Sequence, residues 1–440
     1  MSNHSIPVLS TPSTPLQDSQ NSPDKVSVRA VIAVSVGNSV EFFDWTVYAT
    51  FSIYFATQIF PKGHGSLALL ATLTTYALAF FFRPLGGYLI GRYSDLRGRR
   101  PAMMLSVGLM CGGSLAIAVL PTYAQVGWAA PILLLLARIA QGVAMGGELP
   151  NASAYLAEIA PADKRGRYSS LVFISIGIAL LAASSVGVAL TSTLERSQLE
   201  SWGWRIPFVI GALIGLIVLF LRRGLQESAQ FEEAKRTGVR VARPLRTTLK
   251  NHPRAVLQIV GLVLTSTLVY YTFFSAITPY AVKYRGADAD DVFAALSIGT
   301  VIFILCQYPM GRFSDRFGRK PQLLVYTGFF VLATVPMSNL IGGSFVSLLL
   351  LFSVSLAMLA LCSSILSVTL CEMFPVGIRT TGIGTWYNLT TAVFGGTAPL
   401  VISALASREL GDVFFWYISG AAAISFIITL LTPEPQGMNM

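Results

Sequence analysis

The sequence predicts an all-α membrane protein with twelve transmembrane helices in two pseudo-symmetric six-helix bundles. Three observations carry that expectation: an apolar excess, twelve stretches of spanning length, and a charged motif that recurs at half the chain length. Of 440 residues, 53% are hydrophobic and 12% charged, where soluble proteins carry about 25% charged residues. Mean hydropathy is +0.64. One water-soluble core cannot hide that much apolar side chain, so lipid must cover much of it.

The start of the chain is rich in Ser, Thr, Pro and Gln and lacks the layout of a signal peptide; residues 1–27 are expected to form a disordered cytoplasmic tail. A span needs about 20 mostly apolar residues. Segments 28–58, 67–91, 102–121, 129–157, 168–193, 205–222, 254–282, 291–311, 321–342, 346–373, 380–407 and 412–432 qualify. The first and fourth are long and charged, as expected of tilted or cavity-lining helices. The expected organisation is a bundle over 28–222, a cytoplasmic linker over 223–253, a bundle over 254–432 and a tail over 433–440.

Basic residues set the orientation. With the N-terminus inside, 23 of the 31 Lys and Arg fall in inner segments, nine of them between Arg222 and Arg254, and six in outer ones. Arg83 and Arg138 lie within helices. That bias predicts both termini in the cytoplasm. Trp128, Trp202, Trp204 and Trp416 fall near outer ends, where aromatic anchors are expected. The net charge of +10 is thus a topology signal, and no nucleic-acid partner is expected. The linker, with Arg222, Arg223, Glu227, Glu232, Glu233, Lys235 and Arg236, is expected to form a short amphipathic helix on the membrane.

Residues 91–101, GRYSDLRGRRP, return as GRFSDRFGRKP at 311–321, with seven of eleven positions identical. A second echo, E-x-x-P-x-x-x-R, links Glu158–Pro161–Arg165 with Glu372–Pro375–Arg379. Gly91 thus maps to Gly311 and Glu158 to Glu372, shifts of nearly equal size and close to half the chain. Two echoes at nearly one offset indicate a duplicated six-helix unit.

This pattern resembles the major facilitator superfamily, whose loop signature G-x-x-x-D-x-x-G-R-[RK] is matched by Gly91, Asp95, Gly98, Arg99 and Arg100. The second copy is Gly311, Asp315, Gly318, Arg319 and Lys320. Arg138-Ile-Ala-Gln-Gly142 looks like the fourth-helix motif of that family. GNSVEFFDWTVY (37–48), FRPLGG (82–87), LARIAQG (136–142), GGE (146–148), SWGWRIPF (201–208) and EMFP…R (372–379) are similar to its metabolite:proton symporter branch, and among these to 2-oxoglutarate permeases. Shikimate, citrate and osmolyte carriers share most of these motifs. Where the branch commonly shows Tyr-Gly after GGE, this chain reads Leu149-Pro150-Asn151. The resemblance implies alternating access, import of a small organic acid with a proton, and a bacterial inner-membrane location.

Buried charge points to the site. Away from helix ends the first half carries Glu41, Asp44, Arg83, Arg138 and Glu148, and the second half essentially none. Each such charge is costly unless paired or hydrated. Glu41 and Asp44 share one helical face with Gly37 and Tyr48; Arg138, Gln141, Met145 and Glu148 share another. Two close carboxylates cannot easily both ionise. The histidines His4, His64 and His252 fall outside the spans, so Asp44, Glu41 and Glu148 are the proton-coupling candidates. Arg83 and Arg138 suit a substrate carboxylate, which guanidinium binds in bidentate fashion. Gln141 joins them, and the second half offers Tyr271, Gln307, Tyr387 and Asn388. Gating is expected of the repeated loops (Gly91, Asp95, Gly98, Arg99, Arg100, Gly311, Asp315, Gly318, Arg319 and Lys320) with Glu158, Arg165, Glu372 and Arg379 of the second echo.

No catalytic or metal residues are expected, and no cofactor. The cysteines Cys111, Cys306, Cys362 and Cys371 lack metal spacing, and no phosphate-binding loop is present. The expected partners are a small organic acid, a proton and the bilayer, with the chain acting as a monomer. Two rivals share the fold. A drug:proton antiporter usually carries a Gly-Pro motif in its fifth helix, and segment 168–193 has no proline. A carrier of zwitterionic osmolytes or a shikimate-like metabolite stays open.

Overall fold

The computed structural model describes residues 28–61, 65–237 and 244–437; the expected tail with His4 and Lys25, and the loop residues Lys62 and His64, lie outside them. Every regular element among the described residues is helical. Twelve helices run as α1 (Val28–Ile59), α2 (Gly65–Arg97), α3 (Arg99–Ala118), α4 (Ala129–Ile159), α5 (Arg165–Thr193) and α6 (Ile206–Arg223). The second six are α7 (Pro253–Arg285), α8 (Ala289–Phe317), α9 (Lys320–Ser338), α10 (Phe345–Glu372), α11 (Val376–Ala406) and α12 (Gly411–Leu431). Ten are long and apolar enough to cross a membrane. The other two, α1 and α2, span 32 and 33 residues. Leu213, Leu216, Ile217 and Phe220 line an exposed face of α6, a surface that suits lipid and not water.

The expected spans match these helices within a few residues except at α2 and α8, which run six residues further. The Arg and Asp side chains there sit beyond the apolar run, and nothing in GRYSDLR or GRFSDRF breaks a helix until Gly98 and Gly318. Those glycines, at φ 114° and 93°, take the left-handed region that side chains avoid.

Two seams join the halves. α2 packs on α11, and α8 packs on α5; the offset between the repeats exchanges the members of one seam for those of the other. α7 and α11, the first and fifth helices of the second half, each contain a π-helical turn, at Thr272–Ala276 and Thr391–Gly395. Such turns displace a helix locally and recur at functional sites.

Three expectations are corrected. Trp128, Trp202 and Trp416 are exposed, but Trp204 is fully buried against Phe55 and Phe208, so it is a core residue and not an interfacial anchor. Arg222, counted with the linker's charges for its place beside Arg223, lies inside the first half at 0% exposure. The linker holds two short helices, Ala229–Arg236 and Pro244–Asn251, docked on the bundles. Tyr155 donates to the Gln226 carbonyl at 2.9 Å, and Trp386 Nε1 to Thr248 at 3.3 Å.

Candidate functional site

Three of the five expected charges, with Arg222, form two ion pairs along α1. Asp44 pairs with Arg138 of α4 at 3.5 Å. It also accepts from Ser114 of α3 at 2.5 Å and from Gln141 at 2.8 Å. Arg138 donates to Gln141 at 2.7 Å and lies over the rings of Trp45 and Tyr48, 4.4 and 4.0 Å from their centroids. Flanking aromatic faces favour a cation in this apolar setting. Two turns along α1, Arg222 reaches in from the end of α6 to pair with Glu148, which also accepts from Ser106. The same guanidinium donates to the carbonyls of Ala33, Val34 and Met103 at 3.0–3.1 Å. Gly37 makes this possible, because a Cβ there would meet Arg222. Arg138 and Glu148 share the α4 face expected of them but serve different partners.

Glu41 and Arg83 differ from these pairs. Both are 2% exposed, and neither forms an ion pair among the described residues. Glu41 has a carboxylate oxygen without a hydrogen-bond partner. It sits within electrostatic reach of Arg83, Glu148 and Arg222. Arg83 crosses between the halves, donating to the Tyr271 hydroxyl at 3.0 Å. Its Nε has no partner. It lies 5.3 Å from the Phe80 centroid.

Tyr271 opens onto a cavity between the halves, lined by Phe42, Leu149, Phe173, Tyr270, Ser363 and Tyr387 among others. Its empty space is about 450 Å³, open solvent included. Tyr387 also falls within electrostatic reach of Arg83. Gln307 stands one residue behind the lining and donates to Ser363 at 2.7 Å. Asn388 does not line the cavity. Its amide donates to the Gly146 carbonyl of α4 at 2.7 Å and to Gly384 at 2.6 Å. The reason lies in α4: Pro150 has no N–H, so the carbonyl four residues back loses its helical donor. Asn388 supplies one from the other half, so Pro150 and Asn388 form one contact. Leu149 beside it faces the cavity.

At the end of the molecule that carries the repeated loops, the gating candidates converge. Asp95 accepts from the backbone N–H of Thr380 and Thr381 at 3.1 and 2.8 Å, and from the Thr381 hydroxyl at 2.7 Å. Asp315 accepts from the backbone of Gly166 and Arg167 at 2.6 and 3.2 Å. Each aspartate thus caps a helix of the opposite half, where free N–H groups and the helix dipole favour an anion. Gly91 and Gly311 permit these approaches; a Cβ on Gly91 would lie 2.9 Å from the Thr381 backbone, and one on Gly311 2.5 Å from the Gly166 carbonyl.

Arg99 pairs with Asp95 at 2.8 Å and Glu158 at 3.0 Å, and Glu158 pairs across the seam with Arg379 at 2.7 Å. Arg319 pairs with Asp315 and Glu372 at 3.3 and 3.4 Å. Arg165, the counterpart of Arg379, stands within electrostatic reach of Glu372. Arg100 and Lys320 bond carbonyls: Arg100 donates to that of Arg223, and Lys320 to those of Leu430 and Thr432 at 2.9 and 2.7 Å.

Two further carboxylates belong to this cluster: Glu227, expected only as a linker charge, and Glu434, which the sequence did not single out. Glu227 accepts from the backbone of Arg99 and Arg100 at 2.9 and 3.1 Å. Glu434 accepts from Arg319 and Lys320 at 2.8 and 2.9 Å. Each follows the last helix of its half by a few residues, a third echo too short to stand out. At the opposite end, ion pairs such as Arg285 with Asp412 stay within one half.

Duplicated six-helix halves around a central cavity, with charge at mid-depth and a sealed, charged end, define a polytopic membrane transporter. The family model of the Major Facilitator Superfamily matches residues 34–337 and 260–439. The alpha-ketoglutarate permease of Escherichia coli (strain K12) is 36% identical over 414 residues, covering 93% of this chain and 95% of the permease. A proline/betaine transporter of Salmonella typhimurium is 32% identical over 420 residues, 92% of this chain and 83% of that one. Among solved structures, a proton:xylose symporter bound to 6-bromo-6-deoxy-D-glucose aligns at TM-score 0.74 with 17% identity, over 93% of this chain and 96% of that one. The chain belongs to the Major Facilitator Superfamily.

Proposed function

We propose that the protein is a proton-coupled symporter of a small organic acid, a dicarboxylate such as 2-oxoglutarate, working by alternating access as a monomer in a bacterial inner membrane. The sealed end is the cytoplasmic one by the basic bias of its loops. Residues 28–222 and 254–432 are the two moving units and 223–253 their linker. The observation that carries the substrate class is Arg83, a buried cation beside the cavity with a tyrosine hydroxyl and no carboxylate as partner. A substrate carboxylate would complete the arginine fork, with Tyr271 and Tyr387 orienting it, and the similarity to alpha-ketoglutarate permease supports that reading.

Glu41 is the proton carrier. Asp44 and Glu148 each neutralise an arginine, whereas Glu41 stands without a cation of its own, so binding a proton removes an unpaired buried charge. Substrate anion on Arg83 and proton on Glu41 together neutralise the site, which then crosses the occluded state. An empty site would retain both charges. As the halves rock, Asp95 and Asp315 leave the helix ends that they cap, and the sealed end opens.

A zwitterionic osmolyte is the second reading. Phe42, Tyr270, Tyr271 and Tyr387 of the lining could receive a quaternary ammonium on their ring faces, and the similarity to a proline/betaine transporter agrees. Uptake of labelled 2-oxoglutarate into proteoliposomes under an inward proton gradient, competed with carboxylates, shikimate and betaine, separates the two. Gradient-driven uptake blocked by dicarboxylates, and lost in Glu41→Gln while exchange persists, is expected. Proton flux evoked by betaine alone would exclude the organic-acid reading.

A further inference from the structure

Along α1, Ser35, Asn38 and Glu41 follow one another at intervals of three residues. All are buried, at 7%, 0% and 2% exposure. The Ser35 hydroxyl, both polar atoms of the Asn38 amide and one Glu41 oxygen have no hydrogen-bond partner among the described residues. Buried polar atoms in folded proteins are almost always bonded to protein or to ordered water, and leaving one unbonded carries its full desolvation cost. Four such atoms in succession on one helix call for a common partner. Successive side chains are about 4.5 Å apart along the axis, a step that one water molecule bridges.

The row has a direction. Each step of three residues turns back by about 60° on a helix, so the row winds away from Glu41 as it descends towards the sealed end. Ser35 lies seven residues, two turns, before Phe42, on the α1 face that meets the cavity. The charged groups around Glu41 are Arg83 of α2, Glu148 of α4 and Arg222 of α6. Arg222 is engaged with Glu148 and three carbonyls. The row is therefore an uncommitted polar route out of Glu41 on the sealed side.

We propose that Ser35 and Asn38 order a file of water along which the proton on Glu41 leaves towards the sealed end. The Glu41 O–H bond breaks and a water oxygen takes the proton. That water passes a proton to the next, and the carboxylate is left behind. Asn38 donates and accepts hydrogen bonds without changing charge, so it orders the file without trapping the proton. The inference rests on Glu41 as proton carrier.

The test compares wild type with Asn38→Leu, which fills the row with hydrocarbon, in proteoliposomes. Exchange of labelled 2-oxoglutarate at equal pH cycles the loaded carrier without releasing the proton; net uptake under a proton gradient, followed with an internal pH dye, requires release. Asn38→Leu is expected to leave exchange unchanged and to slow net uptake and proton flux about tenfold or more, with a greater slowing in D₂O than wild type shows. Asn38→Ser, small and polar, is expected to restore both. Equal loss of exchange and net uptake, or unchanged net uptake, would overturn the water file. If wild type itself takes up 2-oxoglutarate without protons, the symport reading fails and the file with it. Should Asn38→Leu not fold, Ser35→Val poses the same question with a smaller change.

Discussion

Arg99 and Arg319 occupy equivalent places in the two copies of the repeat and do equivalent things. Each holds an aspartate that caps a helix of the other half, and each is backed by a glutamate from the second echo. At mid-depth the halves part company. The first half holds Asp44 with Arg138, Glu148 with Arg222, and Glu41 and Arg83, which are unpaired among the described residues. The second half meets them with hydroxyl, amide and aromatic groups. In the proposed cycle gating is a joint act, since both halves must release each other, so it keeps the symmetry of the duplication. The proposed coupling needs a proton and a substrate charge close together, and one half suffices to hold both. On that proposal the other half presents a neutral wall to the substrate.

The comparison breaks most visibly at Arg83. Arg83→Ala removes the unpaired cation, and kcat/KM for 2-oxoglutarate is expected to fall by about 100-fold or more, the loss of two charge-assisted hydrogen bonds at roughly 1.5–3 kcal/mol each. Gln307→Ala on the neutral side is expected to cost far less in the same assay. A comparable loss at Gln307 would show that charge is not concentrated in one half.

Stability separates the paired charges from the unpaired ones. Glu148→Gln leaves Arg222 buried without its anion and is expected to cost about 3–5 kcal/mol, read as a lower thermal midpoint in detergent. Glu148→Leu with Arg222→Met is expected to recover most of that, because an apolar pair of similar volume is tolerated where a broken ion pair is not. Glu41→Gln, which removes an unpaired charge, is expected to leave the midpoint level or raise it.

The symmetry of the sealed end is sharpened by Asp95→Asn and Asp315→Asn. Each keeps the shape of a cap and loses its charge, worth about 1–2 kcal/mol at a partly buried helix end. Both are expected to raise, by similar factors, the alkylation rate of Leu366→Cys, a position that lines the cavity, in protein lacking its native cysteines. Unequal effects would make one seam the dominant gate. The smallest effect belongs to the α4–α11 contact. Asn388→Ala is expected to lower stability by about 1 kcal/mol. Its effect is expected to shrink in a Pro150→Ala background, where Gly146 regains a donor within its own helix; additive losses would dissociate the two residues.

Much of this architecture was legible along the chain. The spans, the repeat of the charged loop and the bias of basic loops are properties of contiguous residues, and so is the presence of charges within apolar stretches. Grouping Arg138, Gln141 and Glu148 on one face of α4 was correct as helix geometry, yet the face divides between Asp44 and Arg222. Arg222 looked like a loop cation because its neighbours are Arg223 and Gly224, and only the approach of α1 and α3 draws it inward. Glu227 and Glu434 carry no local mark beyond their place after the last helix of each half. Asn388 read as a candidate ligand until Pro150, far away in the first half of the chain, gave its amide a different task.

By itself, then, the sequence determined a duplicated membrane fold with charge gathered in the first half, because a bilayer tests each stretch of chain for length and hydropathy one segment at a time. Only the tertiary structure decided which of those charges neutralise each other. In a medium that screens poorly, a charge is defined by what lies within a few ångströms of it. For Arg138, Glu148 and Arg83 those neighbours come from helices distant in the chain.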